Sequence, residues 1–319
     1  MIKKYPILSF FMMTMLFSWA CWIPYAAAQA GLIDHVPAEV VWLGEFGPSL
    51  MALVVAGLTG FPARVREMLR KLCNGRVNPG WYLFALGVTP VLVLSSLLID
   101  AVLFGHTVDL TLLQGWDQRF VTRTSLFQPS MGLISNLVYF MQGSTLATGL
   151  VLVILAITNG GISEELGWRG FALPGLFKQG CSPLQASLLV GFMWAVWHTG
   201  SPIWKIILTS PLSEGLQVAV TNVFEYLLLL IPLSVVYTVL MLGTGGSILL
   251  AVLLHASYNM TITLVASAWS EFPMLTLVVL LWVLAFGLTA WFKLWRVDHH
   301  MGGYKFKKHR ELSSTVLAR

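Results

Sequence analysis

Stretches of about twenty apolar residues recur along almost the whole chain, separated by short polar breaks. A helix needs about twenty such residues to cross the roughly 30 Å hydrocarbon core of a bilayer. Helices and closed barrels alone satisfy their backbone groups at that depth. The pattern predicts eight membrane-spanning helices, at about 6–27, 40–60, 81–104, 142–163, 183–200, 216–242, 245–268 and 273–295. The expected fold class is therefore all-α, a polytopic membrane helical bundle, with one transmembrane domain over residues 1–300 and a basic tail at 301–319. Two segments depart from the pattern. Residues 61–79 mix basic side chains with Val65, Met68, Leu69 and Leu72 at helical spacing, which suits an amphipathic helix on an anionic membrane surface. Residues 105–141 form one long outer connection, a place for a re-entrant or interfacial helix.

Composition agrees with this reading: 57% of the 319 residues are hydrophobic and 10% are charged, against roughly 25% charged in a soluble domain. Lys3, Lys4, the apolar run behind them and AAAQA at 26–30 imitate a secretory signal. The run is longer than a usual signal core and ends in Trp19 and Trp22, so a retained first span with an aromatic interfacial anchor is expected.

A net charge of +5 first suggests nucleic acid, but placement argues for topology. Sixteen of the 19 basic residues fall at Lys3 and Lys4, between Arg64 and Arg76, at Arg169 and Lys178, and from Lys293 onward. Eight spans starting from a cytoplasmic N-terminus put all of these on one side, leaving Arg119, Arg123 and Lys205 outside. That is the positive-inside pattern. It predicts cytoplasmic termini, no nucleic-acid partner, and a motif at 164–169 lying towards the cytoplasmic face. Cys21, Cys73 and Cys181 form no paired spacing and read as structural. The sequon at Asn259 lies inside a span and carries no weight.

The polar groups at depth are few: Glu45, Glu164, Glu165, Arg169, His198, Glu225, His255 and Asn259. Each ionisable group there costs roughly 2.5–3.5 kcal/mol on insertion scales, so such groups face a bundle interior or a wet cavity. Glu165 and Arg169 stand at i and i+4 with the acid first, the favourable order for a pair. Glu164 points about 100° away around the helix and is free for another task. Trp194 lies one turn before His198, and His255 one turn before Asn259. Three helices thus offer an acid, an imidazole, and an imidazole with a carboxamide. Converged, they suit water activation, with Glu164 as general base and His198 orienting the water. His255 and Asn259 suit hydrogen bonding to the oxyanion of a tetrahedral intermediate. Glu164, His198 and His255 are equally legitimate ligands for a divalent metal such as zinc, and a metal-free glutamate mechanism stands equally open. The HExxH spacing of the ordinary zincins is absent. Glu45 and Glu225 lack a partner at motif spacing and read as structural or cavity-lining. Of the 13 tryptophans, most read as interfacial belt residues, with Trp168, Trp194 and Trp197 as pocket wall.

EELGWR at 164–169 resembles the EExxxR motif of the CPBP family, the type II CAAX prenyl endopeptidases and bacteriocin-processing relatives, also called the Abi family. Trp194–His198 resembles its FxxxH motif, with tryptophan where phenylalanine is usual, and His255–Asn259 its HxxxN motif. The similarity covers roughly residues 140–265. It implies an intramembrane endopeptidase with catalytic Glu164, His198, His255 and Asn259, supported by Glu165, Arg169 and Trp194. It further implies a hydrophobic or lipid-modified peptide substrate, contact with membrane lipids, cleavage near the cytoplasmic face, and residence in the plasma membrane of a prokaryote. Two other readings remain open on the sequence. One is a non-catalytic family member serving as an immunity or scaffold protein. The other is a transporter, although the repeats and paired broken helices usual there are absent.

Overall fold

Proline and cap residues decide where the apolar runs begin. Pro6, Pro79 and Pro183 each sit at the first helical position, where a missing N–H is no loss. The Asn78 side chain accepts from Gly80 N, and Ser182 and Gln185 form a reciprocal capping box with bonds of 3.2 and 2.9 Å. The computed structural model describes residues 2–37, 39–60, 63–105, 145–200, 203–268, 273–297, 300, 301, 304 and 305. In chain order its helices are α1 (Pro6–Gln29), α2 (Glu39–Glu45), α3 (Gly47–Gly60), α4 (Ala63–Leu72) and α5 (Pro79–Phe104), then α6 (Thr145–Ala156), α7 (Ser163–Gly167), α8 (Leu173–Lys178), α9 (Pro183–His198), α10 (Ile203–Thr209), α11 (Leu212–Gly243), α12 (Ile248–Ala268) and α13 (Met274–Phe292). A two-residue antiparallel pair, His300–Met301 with Tyr304–Lys305, is the strand content among the described residues.

The protein is an all-α, multi-pass membrane protein. Six helical stretches among the described residues are long and apolar enough to span a bilayer. The second predicted span is a helix pair, α2 and α3, bent by 52°; Pro48 in the first turn of α3 has no N–H to carry the helix back through the bend. The fifth, α9, is 16 residues long. The predicted outer connection lies outside the described residues beyond Gly105, as does most of the tail. The surface helix expected in 61–79 is α4, with Met68 buried and Leu69 exposed.

The fourth span differs from expectation in a way that matters. It does not end near residue 163; helical structure runs on through α7 and α8, so that a stretch from Gly149 to Lys178 reads as one span. The acidic motif is therefore followed by further helix, not by the end of the helical run. Glu164 precedes Lys178 by 14 residues, about 21 Å along a helix.

Around this span the helices approach closely. A Cβ on Gly167 would lie 2.5 Å from the Pro48 carbonyl oxygen, so α7 touches α3 backbone to backbone. The Ser187 and Thr238 hydroxyls, 2.7 Å apart, join α9 to α11. The α1 helix is tied to α2 by Ser18 Oγ donating to Gly44 O at 2.6 Å and by Trp22 Nε1 donating to Val41 O at 3.0 Å. Small residues and hydroxyls at such contacts are what hold helices together where lipid offers no hydrophobic contrast.

Candidate active site

The site is built on a break. Between α6 and α7, at Ile157–Ile162, the helix widens into a π-type turn in which Asn159 and Gly160 leave helical geometry, Gly160 with φ of 88°. Backbone groups freed inside a membrane must find partners, and here side chains supply three of them while the Ser163 N–H donates to the Gly160 and Thr158 carbonyls. Gly160 N donates to Ser163 Oγ at 2.8 Å, Ser49 Oγ donates to Ile162 O at 2.7 Å, and Asn259 Nδ2 donates to Asn159 O at 3.3 Å. Glycine at 160 is required twice over. Besides the positive φ, a Cβ there would stand 2.6 Å from both Asn259 Nδ2 and His255 Nε2.

The two glutamates that follow are buried and differently engaged. Glu165 Oε1 accepts from Arg169 Nη1 at 3.0 Å and from His255 Nδ1 at 2.6 Å. The expected i, i+4 pair is thus present, with an imidazole added to it. The rest of the Arg169 guanidinium meets rings: its Cζ lies 4.2 Å from the Trp194 centroid and 3.8 Å from that of Tyr237, while Nε and Nη2 have no hydrogen-bond partner. Two π-faces stand in for acceptors. Glu164 Oε2 accepts two indole N–H bonds, from Trp168 at 3.2 Å and from Trp194 at 2.5 Å. Its Oε1 is 3.9 Å from His255 Nε2. The tryptophan in place of the usual phenylalanine therefore supplies a donor that phenylalanine lacks.

The histidine contacts set their tautomers. His198 Nδ1 donates to the Trp194 carbonyl at 2.9 Å, since a carbonyl only accepts. His255 Nδ1 donates to Glu165 Oε1, which also accepts from Arg169 Nη1. In a neutral ring Nε2 is then an acceptor. The sequence reading of His255 as an oxyanion donor thus applies to the imidazolium alone.

Glu164, His198, His255 and Asn259 line one cavity of about 350 Å³, together with Trp22, Glu45, Asn159, Gly160, Trp197 and Tyr226. Three helices and the break converge as their motif spacing implied. Glu45 also lines it, beside the Asn159 side chain. Glu225, read as structural or cavity-lining, is exposed on α11 and does not line this cavity, whereas its neighbour Tyr226 does. Trp197 walls the cavity as its place beside a motif implied, and Trp22, read as an interfacial anchor, walls it too; their ring centroids lie 5.0 Å apart with the planes tilted by 53°, and Trp197 Nε1 donates to Ser18 Oγ at 2.8 Å. Asn159, Tyr226 and Tyr237 were missed because none stands at helical spacing from a motif residue of its own helix. Among the described residues no three His, Cys, Asp or Glu side chains are gathered closely enough to hold a metal ion. The chemistry of Glu164, His198 and His255 suits a metal, but their placement here does not close around one.

Residues 146–261, which contain all three motifs, match the family model described as type II CAAX prenyl endopeptidase Rce1-like. This segment is similar to the Rce1-like family. A CAAX prenyl protease 2 from Methanococcus maripaludis is 30% identical over 138 residues, 43% of this chain and 49% of that protein. The chain thus spans about half the length of this curated relative. The Rce1-like segment starts in α6 and ends in α12, so it takes in the break, both glutamates, both histidines and Asn259, but not Trp22 or Glu45.

Proposed function

We propose that the protein is an intramembrane endopeptidase that hydrolyses a peptide bond of a hydrophobic or lipid-modified substrate, in the manner of a CAAX prenyl protease. The observation that carries this is the state of Glu164. One carboxylate oxygen is held by two indole N–H groups, which leaves the other, 3.9 Å from His255 Nε2, free of them in a cavity that both histidines line. A carboxylate fixed in this way is preorganised to accept a proton from water without reorienting.

In the proposed reaction, water between Glu164 and His198 gives a proton to Glu164 Oε1 as its oxygen bonds to the scissile carbonyl carbon. The carbonyl π-electrons move to oxygen. Asn259 Nδ2, whose present bond to Asn159 O is long at 3.3 Å, turns to that oxyanion; His255 adds a second donor when its Nε2 is protonated. Collapse of the intermediate breaks the C–N bond, and the proton on Glu164 passes to the leaving nitrogen. Glu165 and Arg169 act through His255, keeping its ring in place. No step is assigned to a metal. The scissile bond must reach the cavity that Glu164 lines, and the basic residues at the ends of the predicted spans favour a site towards the cytoplasmic face. Basic residues on one side favour cytoplasmic termini and residence in a prokaryotic plasma membrane.

The test is cleavage of a library of prenylated and unprenylated peptides by purified wild type and Glu164→Gln, read by mass spectrometry with and without chelator. Products formed by wild type and absent from a folded Glu164→Gln support the reading. Equal cleavage by both sinks it, and chelator sensitivity decides whether a metal takes part.

A further inference from the structure

A second, larger hollow lies at the basic end of the bundle and shares no lining residue with the candidate active site. Its volume is about 600 Å³. The floor is apolar, made by Ile7 and Phe11 of α1, Met68 of α4, Phe171, Leu176, and Met193 of α9. Leu8 and Leu189 on its flanks are exposed, so it opens sideways towards the position of the acyl chains. Its rim is cationic: Lys4, Arg64, Lys71 and Lys178 stand around it against a single acid, Glu67, which pairs with Lys71 at 3.2 Å. Counting these five groups leaves a charge of +3 on the rim.

Topology explains the presence of some of these cations but not their arrangement. The positive-inside preference asks for basic residues near span ends; it does not ask that three separate segments bring theirs to the mouth of one apolar trough. A neutral lipid or an apolar helix would fill the floor and leave the rim unanswered. Phosphate attached to an alkyl chain answers both, since guanidinium and ammonium groups are its usual partners.

We propose that this groove binds an anionic phospholipid, with one acyl chain over the Phe11–Met193 floor and the phosphate headgroup among Lys4, Arg64 and Lys178. The site also touches the catalytic helices from behind. Gly170 and Phe171 follow Arg169, and Met193 precedes Trp194, so an occupied groove braces the segments that carry the Glu165 and Glu164 partners.

The experiment uses the purified full chain in a neutral detergent, titrated with dioleoyl phosphatidylglycerol, dioleoyl phosphatidylcholine, glycerol phosphate or inorganic phosphate. Binding is read by native mass spectrometry and by Tm. Wild type is expected to retain phosphatidylglycerol and gain Tm at concentrations where phosphatidylcholine does neither. Arg64→Glu with Lys178→Glu is expected to weaken phosphatidylglycerol binding by about tenfold or more while leaving phosphatidylcholine binding unchanged. Should that variant not fold, Lys4→Gln with Lys178→Gln reads the same effect at smaller size. Equal retention of the two lipids by wild type overturns the proposal, as does undiminished phosphatidylglycerol binding by a folded variant. Stabilisation by glycerol phosphate or inorganic phosphate equal to that of the lipid overturns it in favour of a soluble-anion site.

Discussion

Replacing Arg169 tests the electrostatic core of the site without needing a substrate. The guanidinium is 1% exposed and Glu165 is 0% exposed, with 3.0 Å between Nη1 and Oε1. Arg169→Met keeps much of the side-chain volume but leaves Glu165 buried with only His255 Nδ1 as donor. Breaking a buried pair from one side costs about 3–5 kcal/mol, mostly from the charge left behind. Lost contact with the Trp194 and Tyr237 faces adds up to about 2 kcal/mol more, though the two losses overlap. At about 2 °C per kcal/mol for a chain of this size, the expected fall in apparent Tm is roughly 6–10 °C. The assay is thermal unfolding in detergent, followed by the fluorescence of the 13 tryptophans. A cycle with Glu165→Gln isolates the pair: the double variant should be less destabilised than the sum of the singles by about 1–3 kcal/mol. Glutamine at 165 can still accept from His255. A Tm for Arg169→Met within about 1 °C of wild type, or strict additivity in the cycle, would refute the claim that this ion pair is a structural element.

Other outcomes follow from the same geometry. Trp194→Phe removes one of two donors to Glu164 while keeping a ring near Arg169, and a lost bond to a charged group is worth about 1.5–3 kcal/mol. It should lower kcat by roughly 10- to 100-fold with KM little changed, checked by peptide cleavage kinetics; unaltered kcat would mean that the indole bond is incidental. Gly160→Ala places a Cβ against His255 and Asn259 at a positive φ, and should cost activity and about 1–3 kcal/mol of stability, read by cleavage and Tm together. Ser49→Ala uncaps the Ile162 carbonyl and should lower stability by about 1–3 kcal/mol, whereas Glu225→Gln on the exposed face of α11 should stay within about 0.5 kcal/mol. Cys73 is exposed, while burial pushes the Cys181 thiol up. A maleimide at pH 7.5 should therefore label Cys73 well before Cys181, and an impermeant one should reach Cys73 only from the cytoplasmic side of sealed vesicles.

Much of this protein is legible in its sequence because a bilayer leaves few choices. Apolar length specifies six of the eight predicted spans as helices long enough to cross, with α2 and α3 as a bent seventh, since no other open structure satisfies its backbone in lipid; α9, at 16 residues, is too short to count among them. The cost of polar groups at depth singles out Glu164, Glu165, Arg169, His198, His255 and Asn259 before any fold is known, and i, i+4 spacing pairs Glu165 with Arg169. What spacing along one helix cannot express is contact between helices. That Trp194 and Trp168 share one oxygen of Glu164, and that His255 answers to Glu165, depends on how α7, α9 and α12 cross. That Glu45 and Tyr226 face the cavity while Glu225 does not depends on the bend between α2 and α3 and on the rotation of α11. The break is the clearest case. A polar interruption looks like the end of a helix in one dimension; in three it is a break at which Ser49, Ser163 and Asn259 bond backbone groups and beyond which helical structure resumes with the two acids.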